Sequence, residues 1–456
     1  MDQRTSFIRR KSVLTTKGAV YVCVSLPSPA TSPLTIAMPT NLDHSYTPTD
    51  KGTNQPVAQE QENSDMPIKD IRSYLTKGPE SSSSTPPLPI KPTHPLPQRQ
   101  PKLTLLRRIR NYILAFLLFR IARFRIFLIK WLDWRVGLLP KSIDIKPERR
   151  FWVQSSRVGC RKIEVHVHRP PTRLLQPPFP VHINLHGSGF VIPNMEEDRE
   201  QCAFLSRTLN CVVLDVDYCK APQYKLPAPV HDVLDVVRHV LDRPTEYDTT
   251  RITIGGVSAG ATTALLASTS KELKQGTIKS VIAWYPCTNL QYGKEERIIP
   301  PIPQRTSYGK SAKVNIPGFL LPPWMMDLFM ECAVEEGADL CDPSISPICT
   351  PGEAFPTLTI IVSPERCLSL VGATHVCLIN QVGTHDPLYN DCIQLYHHIA
   401  RYSKDIELHV VPYSTHAFER AGLGQDLDRG NMKEWAKQMD EVWGIVVRRL
   451  REVHTR

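Results

Sequence analysis

The sequence predicts an α/β protein with a doubly wound, mostly parallel sheet of about eight strands. Two observations carry the class. Short β-branched runs recur from residue 160 onward, at 162–168 (KIEVHVH), 181–185 (VHINL), 211–216 (CVVLDV), 251–255 (RITIG), 280–285 (SVIAWY), 357–362 (TLTIIV) and 406–411 (IELHVV). They alternate with helical periods such as PAPVHDVLDVVRHVLD at 227–242, as a parallel sheet covered on both faces requires. The distribution of proline says where this fold begins. Many of the 41 prolines fall before residue 101, so the 456 residues read as one large α/β domain behind an irregular extension.

In chain order, residues 1–100 carry PPLPIKP (86–92), PLP (95–97), four serines at 81–84 and few aromatic residues. Such a segment cannot bury enough apolar surface to offset its ordering entropy, and it is expected to be disordered. The first residues place Arg9, Arg10, Lys11 and Lys17 ahead of a short apolar run, which resembles a weak signal or transit sequence. Against that reading, the basic cluster is displaced from the start and no clean cleavage site follows. The twelve cysteines form no CxxC pair and no Cys/His ligand spacing, which argues against a zinc site and a disulfide framework. An intracellular location, cytoplasmic or peripherally membrane-associated, is expected.

The formal charge of +10 is unevenly placed. Between residues 101 and 130 stand Lys102, Arg107, Arg108, Arg110, Arg120, Arg123, Arg125 and Lys130, with no acidic residue among them. The longest uninterrupted apolar run there, 112–119, is far short of the roughly 20 residues that a bilayer span needs. Two readings of the basic apolar segment 101–150 stand side by side. One is a helix lying on a membrane surface through residues 101–135, and the other is a helix that covers a substrate pocket. Nucleic-acid binding is not expected, since no recognition fold accompanies the charge.

Chemistry in a parallel sheet gathers at the carboxyl ends of the strands. The pattern Gly256-x-Ser258-x-Gly260 joins the strand at 251–255 directly to a helical run of small residues, where a sharp turn lifts a serine Oγ above the sheet. Taken alone, such a serine is as often a packing residue as a nucleophile. Upstream, His186-Gly-Ser-Gly-Phe190 follows VHINL, and downstream Asp386 and His416 follow the strands TLTIIV and IELHVV. In isolation Asp386 reads more often as a turn residue and His416 as a loop histidine, but the order Ser, Asp, His is the one this architecture uses.

Together these pieces resemble the hormone-sensitive-lipase-like branch of the α/β-hydrolases over roughly residues 150–450. HGSGF at 186–190 looks like its HGGGF motif, GVSAG at 256–260 like its GDSAG elbow, and YCKAP at 218–222 with LPA at 226–228 and Asp232 like its YRLAPE segment. CDPSISP (341–347), DPL (386–388) and HAF (416–418) match further pieces. The resemblance implies a catalytic domain at 151–455 with the α/β-hydrolase fold and a helical cap inserted at about 288–350. It implies Ser258 as nucleophile, His416 as general base and Asp386 as its orienting partner. Ser188, Gly189 and Ala259 are implied as oxyanion amide donors, and no metal or other cofactor is called for. In the family's layout IPGFLLPPWMMDLFM (316–330) contributes to the cap, which nominates Leu320, Leu321, Trp324, Met325 and Phe329 as the lining of an apolar acyl site.

Two departures stand near the nucleophile: Ser188 replaces the middle glycine, and Val257 replaces the acidic residue. If position 188 needs a positive φ, serine there costs about 1 kcal/mol. A third departure is the segment 363–382 (SPERCLSLVGATHVCLINQV), which separates a strand from its acid loop; removing it restores TLTIIVGTHDPLYND. Val362-Ser363 can be encoded by an intron donor sequence and Gln381 by an acceptor CAG, so a retained intron is expected, against a true surface insertion. The expected function is hydrolysis of a small lipophilic carboxylic ester. The alternative is a hydrolase-fold binding protein with weak or no catalysis, which the presence of His416 disfavours.

Overall fold

The buried apolar runs assemble into one sheet, and its order explains why the chemistry collects where it does. The strands are β1 (Arg149–Gln154), β2 (Lys162–His168), β3 (Phe179–Leu185), β4 (Val212–Asp217), β5 (Tyr247–Val257), β6 (Ile278–Trp284), β7 (Leu358–Pro364) and β8 (Ile406–Val411). They pair in the order β1-β2-β4-β3-β5-β6-β7-β8. From β4 to β8 every pairing is parallel, while β1 with β2 and β2 with β4 run antiparallel. The protein is described by a computed structural model over residues 99–136, 146–157, 161–170, 176–195, 197–291, 321–364, 386–402, 405–411, 416–420 and 429–455, which all lie in one compact unit.

Among the described residues seven α-helices accompany the sheet: α1 (Leu105–Val136), α2 (Arg199–Leu209), α3 (Ala228–Leu241), α4 (Ala259–Ser268), α5 (Pro323–Ala333), α6 (Tyr389–Ile399) and α7 (Arg429–Thr455). Strand β3 is buried along its whole length, as a central parallel strand covered on both faces must be. Alternate residues of β3 meet different layers. The Leu185 carbonyl is approached by Gly260 of α4, whereas the Asn184 side chain bonds Asp198 beside α2 at 3.3 Å.

On that second face His182 Nδ1 and His454 Nε2 each lie 3.0 Å from Thr253 Oγ1, tying the end of α7 to β3 and β5. Val446, Leu450 and His454 recur every four residues and are all buried, which is the period that seats a helix on a sheet. Burial holds the imidazoles of His182 and His454 down, to about 3 and about 4, so both stay neutral inside the core.

Residues 1–98, most of the segment expected to be disordered, lie outside the described residues. Arg99 and Gln100 do not fit that expectation. Arg99 bridges Asp339, and the buried Gln100 donates its amide to Ala338 O at 3.0 Å and accepts from Gly337 at 2.8 Å. Helix α1 packs on α5: Glu331 of α5 accepts Arg107 Nε at 2.9 Å and Asn111 Nδ2 at 2.7 Å, and Arg108 reaches Glu336 at 2.6 Å. No helix among the described residues is long and apolar enough to cross a membrane. Strand β7 runs two residues into the segment 363–382, with Ser363 opposite Val410 and Pro364 opposite Val411; residues 365–382 lie outside the described residues.

Candidate active site

The turn between β5 and α4 holds Ser258 at φ 53° and ψ −119°, a conformation that side chains rarely adopt. Its amide is fixed by a 2.9 Å bond to Trp284 O on β6. The flanking glycines are required by contact, not by a positive φ. A Cβ on Gly260 would fall 2.1 Å from Leu185 O and 2.6 Å from His186 O, and one on Gly256 would fall 2.6 Å from the Gly260 carbonyl carbon. The pattern GxSxG is therefore the condition for pressing the start of α4 against the end of β3.

The three residues named from the sequence come together. His416 Nε2 lies 3.0 Å from Ser258 Oγ, and His416 Nδ1 lies 2.9 Å from Asp386 Oδ2. A carboxylate only accepts, so Nδ1 carries the proton and Nε2 is left to accept from the serine hydroxyl. Asp386 in turn accepts the Leu388 amide on Oδ1 at 2.8 Å, just ahead of α6, and is 3% exposed. The His416 ring meets Tyr285 edge-on with centroids 4.7 Å apart, and Tyr285 Oη bonds Glu419. Tyr285 was not singled out from the sequence. Its position one residue past the end of β6 was the available signal, because that end faces the site.

After β3 the chain turns through Gly187, Ser188 and Gly189. The positive φ values fall on Gly189 (54°) and Phe190 (63°), not on Ser188, so the strain expected at position 188 is absent. Tyr218 Oη donates to His186 O at 2.6 Å, which leaves the Ser188 hydroxyl to donate to Tyr218 Oη at 2.8 Å. Ser188 Oγ also accepts the Phe190 amide at 2.9 Å. Burial pushes the Tyr218 phenol far up, so it remains a neutral donor. Ser188, Gly189 and Ala259 border the cavity above Ser258, and their amides have no protein acceptor among the described residues. Asp232, matched by motif, serves the scaffold: it accepts the Cys219 amide at 2.8 Å and pairs with Arg161.

The cavity measures roughly 190 Å³ and opens over Ser258 and His416. Leu321, Met325 and Phe329 line it as expected, while Leu320 lies outside the described residues. Trp324 does not line it and is 54% exposed. At about 100° per residue Trp324 points nearly opposite the middle of the face shared by Met325, Met326, Phe329 and Met330. Met326 and Met330 take its place in the wall; the spacing of four in MMDLFM was the signal that sequence reasoning passed over. Among the described residues helix α1 supplies no lining side chain, and it packs on α5, which walls the cavity.

The arrangement of a strand-turn-helix serine, a histidine and a buried carboxylate on a parallel sheet defines a class, and comparison with known proteins agrees. The chain belongs to the alpha/beta hydrolase fold family, whose model matches residues 182–420, more than half of its length. Among similar proteins are the esterase LipI of Mycobacterium tuberculosis, 31% identical over 157 residues (34% of this chain, 49% of that one), and the ethyl acetate hydrolase of Pseudomonas putida. The latter is 24% identical over 277 residues, covering 58% of this chain and 76% of that one. The chain thus spans about half the length of the first relative. The esterase of Pyrobaculum calidifontis shares the fold with a TM-score of 0.52 at 19% identity, over 77% of this chain and 99% of that one.

Proposed function

We propose that this protein is a serine carboxylesterase acting on small lipophilic esters. The observation that carries the reading is the unbroken relay Ser258 Oγ–His416 Nε2 at 3.0 Å and His416 Nδ1–Asp386 Oδ2 at 2.9 Å, opening into an apolar cavity. Serine is a poor nucleophile until a base takes its proton. His416 does so as Ser258 attacks the ester carbonyl, and Asp386 holds the imidazole in the donating tautomer and balances the imidazolium that forms.

The oxyanion is received by the amides of Ser188, Gly189 and Ala259, the last at the N-terminus of α4 where the helix dipole adds to the field. The alcohol leaves with the proton from His416, and water activated by the same base releases the acid from Ser258. Met325, Met326, Phe329 and Met330 receive the acyl chain, the flexible thioethers of the three methionines adapting to its shape.

The test is turnover of p-nitrophenyl esters of graded chain length by the purified protein, with Ser258→Ala as the control. We expect activity that extends beyond acetyl esters and falls by several orders of magnitude in the variant, with labelling by a fluorophosphonate on Ser258. Labelling at another residue, or turnover retained in Ser258→Ala, overturns the reading.

A further inference from the structure

We propose that α1 docks the protein on an anionic phospholipid surface, lying flat with the helix face opposite α5 in the headgroup boundary. Twelve of the sixteen exposed large apolar side chains among the described residues sit on this one helix. Its buried positions Asn111, Ala115 and Ala122, with the half-buried Leu114 and Leu118, share one side and pack toward the rest of the fold. Counted at 100° per residue, Ile109, Ile113, Phe116, Phe124, Phe127 and Trp131 fall on the opposite side, between 44% and 63% exposed. A soluble monomer rarely leaves an apolar stripe of this length in water.

Charge selects the occupant. No acidic residue stands between 101 and 130. The inner cations are committed to the protein, Arg107 to Glu331, Arg108 to Glu336 and Arg125 to Glu197. Arg120 and Arg123 make no ion pair among the described residues and instead lie over the rings of Phe116 and Phe119, at 5.9 and 5.7 Å. Those two guanidinium groups stand within the apolar stripe. A second copy of the chain docking by two-fold symmetry would set arginine against arginine, an unfavourable pairing without counter-charge. A bilayer surface supplies hydrocarbon for the rings and phosphate for the guanidinium groups at the same depth. Because α1 rests on α5, which walls the cavity, docking would bring the substrate site to the layer where lipophilic esters partition.

The experiment is flotation of the full-length protein with phosphatidylcholine vesicles, with and without phosphatidylserine, at low and high salt. The Ser258→Ala background is used, so that the outcome is independent of the proposed hydrolysis. We expect capture by the phosphatidylserine vesicles that weakens with salt. Arg120→Glu with Arg123→Glu should lower it by at least about 25-fold, at roughly fivefold for each cation removed. Phe124→Ser with Phe127→Ser should abolish it, while the same pairs placed in the active protein leave turnover of a soluble short-chain ester unchanged. Equal capture by neutral vesicles, no capture at all, or capture unaffected by either pair overturns the proposal. So does a dimer, measured by light scattering, that Phe124→Ser with Phe127→Ser dissociates, since the face would then belong to a second copy.

Discussion

Replacing Gly260 by alanine tests whether the elbow is built by contact. The added Cβ would lie 2.1 Å from Leu185 O and 2.6 Å from His186 O, both backbone atoms that no rotamer change can move aside. Reaching an ordinary contact of about 3.4 Å requires a displacement of more than 1 Å between the start of α4 and the end of β3. Those two segments carry Ser258 and the Ser188–Gly189 amides, so the shift is a change in their mutual geometry. Overpacking of this kind costs about 1–3 kcal/mol of stability, and a 1 Å misplacement costs on the order of a hundredfold in rate. We expect Gly260→Ala to lower the urea midpoint and to reduce kcat/KM on p-nitrophenyl butyrate by about two orders of magnitude, with kcat falling more than KM rises. Gly444→Ala is the control: nothing lies within 4 Å of its added Cβ in α7, and the gain in helix propensity should stabilise the protein by roughly 0.5–1 kcal/mol. Wild-type kinetics in Gly260→Ala would refute the contact explanation of the motif.

Two further outcomes are expected. Burial, first among the causes, holds His168 and His454 at about 4 and His182 at about 3. The folded state keeps all three neutral while the unfolded chain takes up protons below about 6.5. Stability is therefore full above that pH and falls as the pH drops toward each folded value, by about 1.4 kcal/mol per unit for each histidine. Urea titrations between pH 7 and pH 5 measure the slope, and a slope that is unchanged in His454→Gln would count against this account. Deleting 363–382 joins β7 to the loop of Asp386 through Gly383 and Thr384. If the segment is a retained intron, we expect a more soluble and more active esterase, and codons for these residues persisting in the main spliced message would refute that origin.

The parallel core was legible because its strands are buried on both faces and carry uninterrupted β-branched runs. Strands β2 and β8 fall where those runs lie, and helix α3 lies within one residue of its expected bounds at each end. Strand β1 was not legible: in RRFWVQ only Val153 is buried, so an edge strand beside solvent left no apolar run to read. The meeting of Ser258, His416 and Asp386 was legible through order and spacing along the chain, since each residue follows a strand. The wall of the cavity was half legible. Helical phase decides which of Trp324, Met325 and Met326 faces inward, and a list of apolar residues does not contain that phase. Tyr285 and the Ser188–Tyr218 bond are products of tertiary contact between residues 30 or more apart in the chain, which no local pattern reports.

The serine at 188, which looked like a cost in the sequence, has the geometry of a contributor. The left-handed backbone falls on Phe190 at φ 63°, a residue with a bulky, 2% exposed side chain, and such a conformation costs on the order of 1 kcal/mol or more. The Phe190 amide is buried there and finds its acceptor in Ser188 Oγ at 2.9 Å. Without that hydroxyl the amide would be left unpaired, at a cost of about 1–3 kcal/mol, and Tyr218 would keep its bond to His186 O but lose the one to position 188. Val257, 2% exposed, closes the other side of the loop by packing on Gly187, so the turn is held without a carboxylate beside Ser258. Restoring the glycine of the resembled motif should therefore weaken the proposed activity: Ser188→Gly is expected to lose stability and to lower kcat with little change in KM, because the amides proposed to meet the oxyanion would be held less firmly while the proposed acyl pocket is untouched. Urea unfolding and a kcat and KM comparison on p-nitrophenyl butyrate measure both effects. A Ser188→Gly protein that is as stable as the wild type and turns over faster would show that the serine is a burden the loop merely tolerates.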